Sequence, residues 1–178
     1  VIGQSFGRQE LVRVPEPAPV TDQPDHVLQY DEVMSTKLAI AYALGFEIIY
    51  RTRANPFGGN AIDLACGPGH FTLLLAEGLK LDSISGCDLS EGMIEAAKKN
   101  ALRQRQARAD FRVSNVLDLS QFSGDQFELS TFADAAHHLQ DLSAVAQVVG
   151  AMDRITRPDG LVAVMDLARL KTASLTES

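Results

Sequence analysis

Four stretches of the 178-residue chain place chemistry-bearing side chains at telling positions. The first is Asp63-Leu64-Ala65-Cys66-Gly67-Pro68-Gly69, where a short apolar run ends in a glycine turn and an apolar helical pattern follows from Phe71 to Ala76. Gly67 allows a sharp turn with positive φ, and Gly69 removes a side chain where a ligand approaches the backbone. The helix behind them offers backbone N–H groups to a polar ligand. The second is Asp88, at the end of the next apolar run. It stands about twenty residues beyond Gly67, the spacing of an acid that accepts from both hydroxyls of a ribose. The third is Asn115, whose amide both donates and accepts. The fourth is the exit of a further apolar run, with the adjacent pair His137-His138. A neutral imidazole suits a general base. No metal is expected: adjacent histidines point in different directions, and no Cys, His or Asp spacing completes a zinc set.

Plainer readings stand beside these. Asp63 can be a buried acid capping nearby backbone, and Asp88 a helix-entry cap before Ser90. Asn115 can simply form a turn, and the two histidines can serve helix entry and packing. Cys66 and Cys87 read as small, reduced core residues, and His70 as a helix-start residue.

These positions require an alternating series of strands and helices. Strands are expected at 61–65, 83–88, 110–114, 126–132 and 161–165. Helices are expected at about 68–79, after a cap at Ser90, and at 142–156. Val145, Val148, Val149, Met152 and Ile155 recur at helical spacing in the last of them. Arg157-Pro158-Asp159-Gly160 reads as a turn before the fifth strand. Such alternation means an α/β fold, a Rossmann-like, mostly parallel sheet with helices on both faces. Before the first strand, 25–51 reads as helical, capped by Asp25 or Asp31 and then by Ser35 or Thr36. Residues 1–23 read as an extended arm, because Pro15, Pro17, Pro19 and Pro24 exclude a continuous helix there.

A net charge of −7 argues against a nucleic-acid groove. No apolar run reaches the roughly 18 residues of a membrane span, and no signal segment opens the chain. The expected setting is cytoplasmic, with no membrane and no nucleic-acid partner. A truncated sheet edge allows pairing with a second copy, so a homodimer stays open.

The segment Asp63 to Gly69 resembles motif I of the class I S-adenosylmethionine-dependent methyltransferases. The stretch Phe127 to Leu139, ending in His137-His138-Leu139, is similar to the family's strand-four signature. The resemblance covers residues 61–166. It implies S-adenosylmethionine as cofactor and, in the small-molecule group, methyl transfer to a small organic acceptor. It places Cys66, Gly67, Pro68 and Gly69 beside the methionine part of the cofactor, with Phe132 and Ala133 also beside its methionine end. Asp63 then helps hold the amino group, Asp88 the ribose, Leu89 and Met93 line the adenine or ribose side, and Asn115 and Val116 meet the adenine. His137 and His138 are candidate bases for the acceptor. Tyr30 corresponds to an aromatic that touches the cofactor from a lid. The implied layout is an N-terminal arm and helical lid over 1–55 and an S-adenosylmethionine-binding domain over 56–178. The family fold continues with a further helix and an antiparallel strand pair, so either the C-terminal part is missing from this chain, which is the favoured expectation, or the protein is unusually short.

Two rivals share these features. An NAD-dependent oxidoreductase wants glycine where Thr72 stands, and Pro68 removes an N–H from the turn that would hold a pyrophosphate. A non-catalytic S-adenosylmethionine-binding domain would show the same cofactor residues, because fold does not fix activity.

Overall fold

The computed structural model describes residues 22–52 and 57–166. Two helices come first, α1 (Pro24–Thr36) and α2 (Ala39–Thr52). The series β1 (Asn60–Leu64), α3 (His70–Gly78), β2 (Ser83–Asp88), α4 (Glu91–Gln104) and β3 (Ala109–Val113) follows. Then come β4 (Phe127–Ala133), a 3-10 turn at Ala136–His138, α5 (Leu142–Ile155) and β5 (Thr156–Met165). The five strands are all parallel, in the order β3-β2-β1-β4-β5. The Rossmann-like expectation is met. The strand order turns back at β1, which lies between β2 and β4. Ligands in open α/β sheets bind beyond the carboxyl ends of the strands at such a switch.

The alternation of β1 explains its two-faced packing. Ile62 and Leu64 are fully buried with Val148, Met152 and Ile155 of α5. Ala61 faces the other layer, with Phe71 and Leu75 of α3 and Ile49 of α2. Asp63 shares that second face, which puts a carboxylate under the start of α3.

Several local expectations are corrected. Helix α1 begins on Pro24, whose ring suits the first helical position, and Gln23 provides no side-chain cap. Asp25 lies in its first turn and Asp31 in its middle, so neither caps it. Ser35 and Thr36 bond back to the Glu32 carbonyl in the same helix and leave α2 uncapped by them. Helix α3 begins at His70, two residues later than expected. Strand β5 begins at Thr156: the Arg157–Gly160 stretch is absorbed as a register irregularity, Thr156 opposing Phe127 and Leu161 opposing Leu129. The expected arm over 1–23 lies almost wholly outside the described residues, as do all positions after Asp166. Among the described residues no single helix is long and apolar enough to cross a membrane, and α1 and α2 are bent by 57° at their junction.

Candidate functional site

Three residues of the turn after β1 take left-handed backbone: Ala65 at φ 52°, Gly67 at 52° and Gly69 at 82°. Asp88, at the end of β2, holds this turn in place. Its Oδ2 accepts from the Gly67 N–H at 2.9 Å and its Oδ1 from the Ser90 N–H at 2.9 Å. One buried carboxylate thus ties together the exits of β1 and β2. Each oxygen retains acceptor capacity for a further donor. Burial raises the Asp88 pKa, and the N–H donors around it oppose that rise.

The two glycines do different jobs. A Cβ on Gly67 would meet nothing within 4 Å, so the space beside the turn is open there. A Cβ on Gly69 would sit 2.9 Å from the Phe111 ring and 3.0 Å from the Ala97 Cβ. The missing side chain of Gly69 makes room for the core.

Asp63 is buried and bonded to two hydroxyls, Thr72 Oγ1 and Thr131 Oγ1, each at 2.6 Å. It locks α3 and β4 onto β1 through side-chain hydroxyls, where the plainer reading expected a backbone cap. Thr72 therefore has a job at the position where a dinucleotide fingerprint carries glycine. Burial pushes the Asp63 carboxyl up to about 6, from an ordinary value of 3.8, against the lowering effect of the two hydroxyls. Between those values the native state holds a proton that the unfolded chain has released. Stability is accordingly expected to fall as pH rises from about 4 to about 6, by about 3 kcal/mol in all. Urea unfolding across that range should show the slope, and Asp63→Asn should flatten it. A slope that survives the substitution belongs to other groups.

The remaining predicted positions divide. Cys66 is half-buried beside the turn, and burial, then the charges of Asp63 and Asp88, keeps its thiol protonated. Cys87 is in the core with its thiol pushed up to about 12. Pro68 is buried, Leu89 is exposed beyond β2, and Met93 is buried in the first turn of α4. Asn115 accepts from the Leu117 N–H at 2.9 Å, the turn-forming reading, while its side chain remains exposed. Val116 packs on the α5-side core. Phe132 is fully buried in that same core, so only its backbone can meet a ligand, and Ala133 packs partly buried on the other face.

Helix α1 comes across this edge. The Tyr30 hydroxyl lies 3.4 Å from His138 Nε2, linking α1 to the exit of β4. Tyr42 of α2 escaped the sequence reading. Its hydroxyl donates to Met34 Sδ at 3.0 Å, and its ring tilts against Phe71. Burial, then the charges of Asp63 and Asp134, holds its phenol well above the ordinary value, as befits a tyrosine beside the β1 and β4 exits. Asp31 of α1 and Asn100 of α4 were missed as well. Asp31 Oδ1 accepts from Asn100 Nδ2 at 2.7 Å and lies 2.8 Å from His70 Nε2. Nothing in the local sequence marks them, because their partners are 69 and 39 residues away.

The rings of His137 and His138 are not turned apart as expected; their centroids are 4.1 Å from each other. His137 is gripped by Asp166 at the end of β5, through its N–H at 2.8 Å and through Nδ1 at 2.8 Å. Asp134, with backbone φ 52°, completes a group whose ligand-type atoms lie within 4.8 Å of one another. Sequence spacing hid this group because β5 supplies Asp166 from 29 residues away. The two contacts with Asp166 fix the orientation of the His137 ring.

A family model described as a methyltransferase domain matches residues 61–160. The chain belongs to this family. The match runs from the first buried residue of β1 to the irregular start of β5. This methyltransferase domain is similar to a demethylmenaquinone methyltransferase of Leptospira interrogans, 29% identical over 126 residues, covering 69% of this chain and 49% of that protein. It is also similar to a 2-phytyl-1,4-naphtoquinone methyltransferase of Nostoc, 31% identical over 120 residues, covering 66% and 50%. The chain thus spans about half the length of these two curated relatives. Among solved structures, the phosphoethanolamine N-methyltransferase 2 of Haemonchus contortus superposes with a TM-score of 0.65. It is 18% identical, with 80% of this chain and 32% of that one covered, a likeness of fold.

Proposed function

We propose that this domain binds S-adenosylmethionine and transfers its methyl group to a small organic acceptor. The observation that carries the reading is Asp88: a buried carboxylate at the end of β2, bonded to the glycine turn at the switch of strand order. Its remaining acceptor capacity suits the two ribose hydroxyls. The open space over Gly67 suits the methionine part, and the uncapped start of α3 suits its carboxylate. Leu89 and Met93 lie on the adenine side, with Asn115 and Val116 beyond β3. Ala133 and the Phe132 backbone stand at the methyl-bearing end. Helices α1 and α2 act as the lid, and Tyr30 is its contact with the cofactor.

When bound, the cofactor supplies an electrophilic methyl on sulfur. The work left to the protein is alignment of the acceptor and exclusion of water. Tyr30 and Tyr42 form an aromatic wall for the acceptor between the lid helices and the β4 exit. His137, oriented by Asp166, takes a proton from an acceptor that must lose one, and His138 steadies the lid through Tyr30. Two relatives are named for quinone-type acceptors, and from those names we take naphthoquinones as the first acceptors to test.

Calorimetric titration with S-adenosylmethionine, S-adenosylhomocysteine and NAD tests the reading. Binding of the first two, with none of NAD, is expected. Binding of NAD alone overturns it in favour of an oxidoreductase. Cofactor binding without turnover in an acceptor panel, for this chain and a longer natural form alike, points to a non-catalytic domain.

A further inference from the structure

Helix α1 lies along α4 and is pinned to it at two points. Asp22 accepts from the Ser90 hydroxyl and from the Gly92 N–H, and Asp31 accepts from Asn100. Asp22, two residues before α1, meets the start of α4, and Asp31, in the middle of α1, meets Asn100 towards the end of α4, so the two helices run in the same direction. Gly92 permits the close approach, because a Cβ there would come within 2.9 Å of Val27.

The second pin does more than hold two helices together. Asn100 is 5% exposed, and its amide nitrogen also donates to the Pro68 carbonyl in the glycine turn, at 3.0 Å. Asp31 reaches His70, the residue just beyond that turn, at 2.8 Å. One carboxylate oxygen of the lid therefore touches both the side chain that props the turn and the residue that ends it. Between these two holds lies the left-handed Gly69.

We propose that Asp31 and Asn100 are positioning residues that couple lid closure to the shape of the glycine turn. With α1 seated, Asp31 orients Asn100 toward the Pro68 carbonyl and holds His70 at the head of α3. With α1 lifted, the Asn100 amide and His70 lose that charged partner, and the turn loses its props from the lid side. A ligand seated on the turn thus favours the seated lid, and the seated lid favours the ligand, to the same extent. This inference rests on the cofactor reading above for the identity of the ligand, and on the geometry alone for the coupling.

The test uses Asp31→Ala, Asp31→Asn and Asn100→Leu. Dissociation of S-adenosylhomocysteine is followed by surface plasmon resonance, and backbone hydrogen exchange over 24–36 and 66–71 without ligand. Asp31→Ala should speed dissociation about tenfold or more, the scale of a lost charged hydrogen bond, and raise exchange in both segments. Asp31→Asn, which keeps an acceptor and drops the charge, should recover part of the loss. Asn100→Leu should loosen 66–71 in the same way. A lid anchor with no hold on the turn gives faster exchange over 24–36 alone, with 66–71 and the dissociation rate unchanged; that result overturns the proposal. If Asp31→Ala fails to fold, Asp31→Asn carries the same comparison. If the unaltered protein binds no S-adenosylhomocysteine, the cofactor reading fails by itself. Exchange over 66–71 then decides the coupling: raised in the Asp31 variants it stands, unchanged it falls.

Discussion

Asp88→Ala should weaken S-adenosylmethionine binding by about 1.5–3 kcal/mol, roughly ten- to a hundredfold in Kd, the scale of hydrogen bonds to a charged group. The geometry adds a second loss. The same carboxylate satisfies the N–H groups of Gly67 and Ser90, and alanine leaves both without their acceptor. A buried donor stripped of its partner costs about 1–3 kcal/mol. The variant is therefore expected to lose stability as well as affinity, and the glycine turn to lose its tie to β2. Asp88→Asn keeps one carbonyl acceptor and should lie between. Calorimetry on variants shown by urea unfolding to be folded separates the two effects. A folded Asp88→Ala that binds with unchanged Kd removes Asp88 from the site.

Gly69→Val should be the most destabilising substitution in the glycine turn. A β-branched residue at φ 82° carries backbone strain of about 1–2 kcal/mol. Its Cβ must also displace the Phe111 ring and the Ala97 methyl, in a packed layer where overfilling costs about 1–3 kcal/mol. The sum, about 2–5 kcal/mol, is a large part of the stability of an ordinary domain. Gly67→Ala is the informative comparison. It shares the left-handed backbone but meets no atom within 4 Å, so it should cost the strain alone. Its new methyl group instead enters the space assigned to the ligand and should show in binding. Equal stability losses for Gly69→Val and Gly67→Ala would refute the division of labour between the two glycines.

That division shows where reading the residues in order reaches its limit. The turn itself was legible, because a short apolar run, two glycines and a helical pattern have one economical backbone solution. The reason for the second glycine was not. Phe111 reaches it from β3 and Ala97 from α4, and no local pattern says which distant side chain will fill a space. Asp63 makes the same point. Its place at the strand end was plain, but its two partners stand nine residues on, in α3, and 68 residues on, in β4. The histidine pair was visible as a dipeptide, whereas the Asp166 grip on His137 needs β4 and β5 to be neighbours.

By itself the sequence determined the order of strands and helices, the parallel sheet, the glycine turn and the acid at the end of β2. These follow from hydrophobic period, glycine and proline, which act over a few residues and carry their meaning locally. Only the tertiary structure decided that β1 lies between β2 and β4, that α1 runs along α4, and that Asp31, Asn100 and His70 meet at the glycine turn. Those contacts join residues dozens of positions apart. Their energy depends on distance and burial, which exist only once the sheet has brought the elements together.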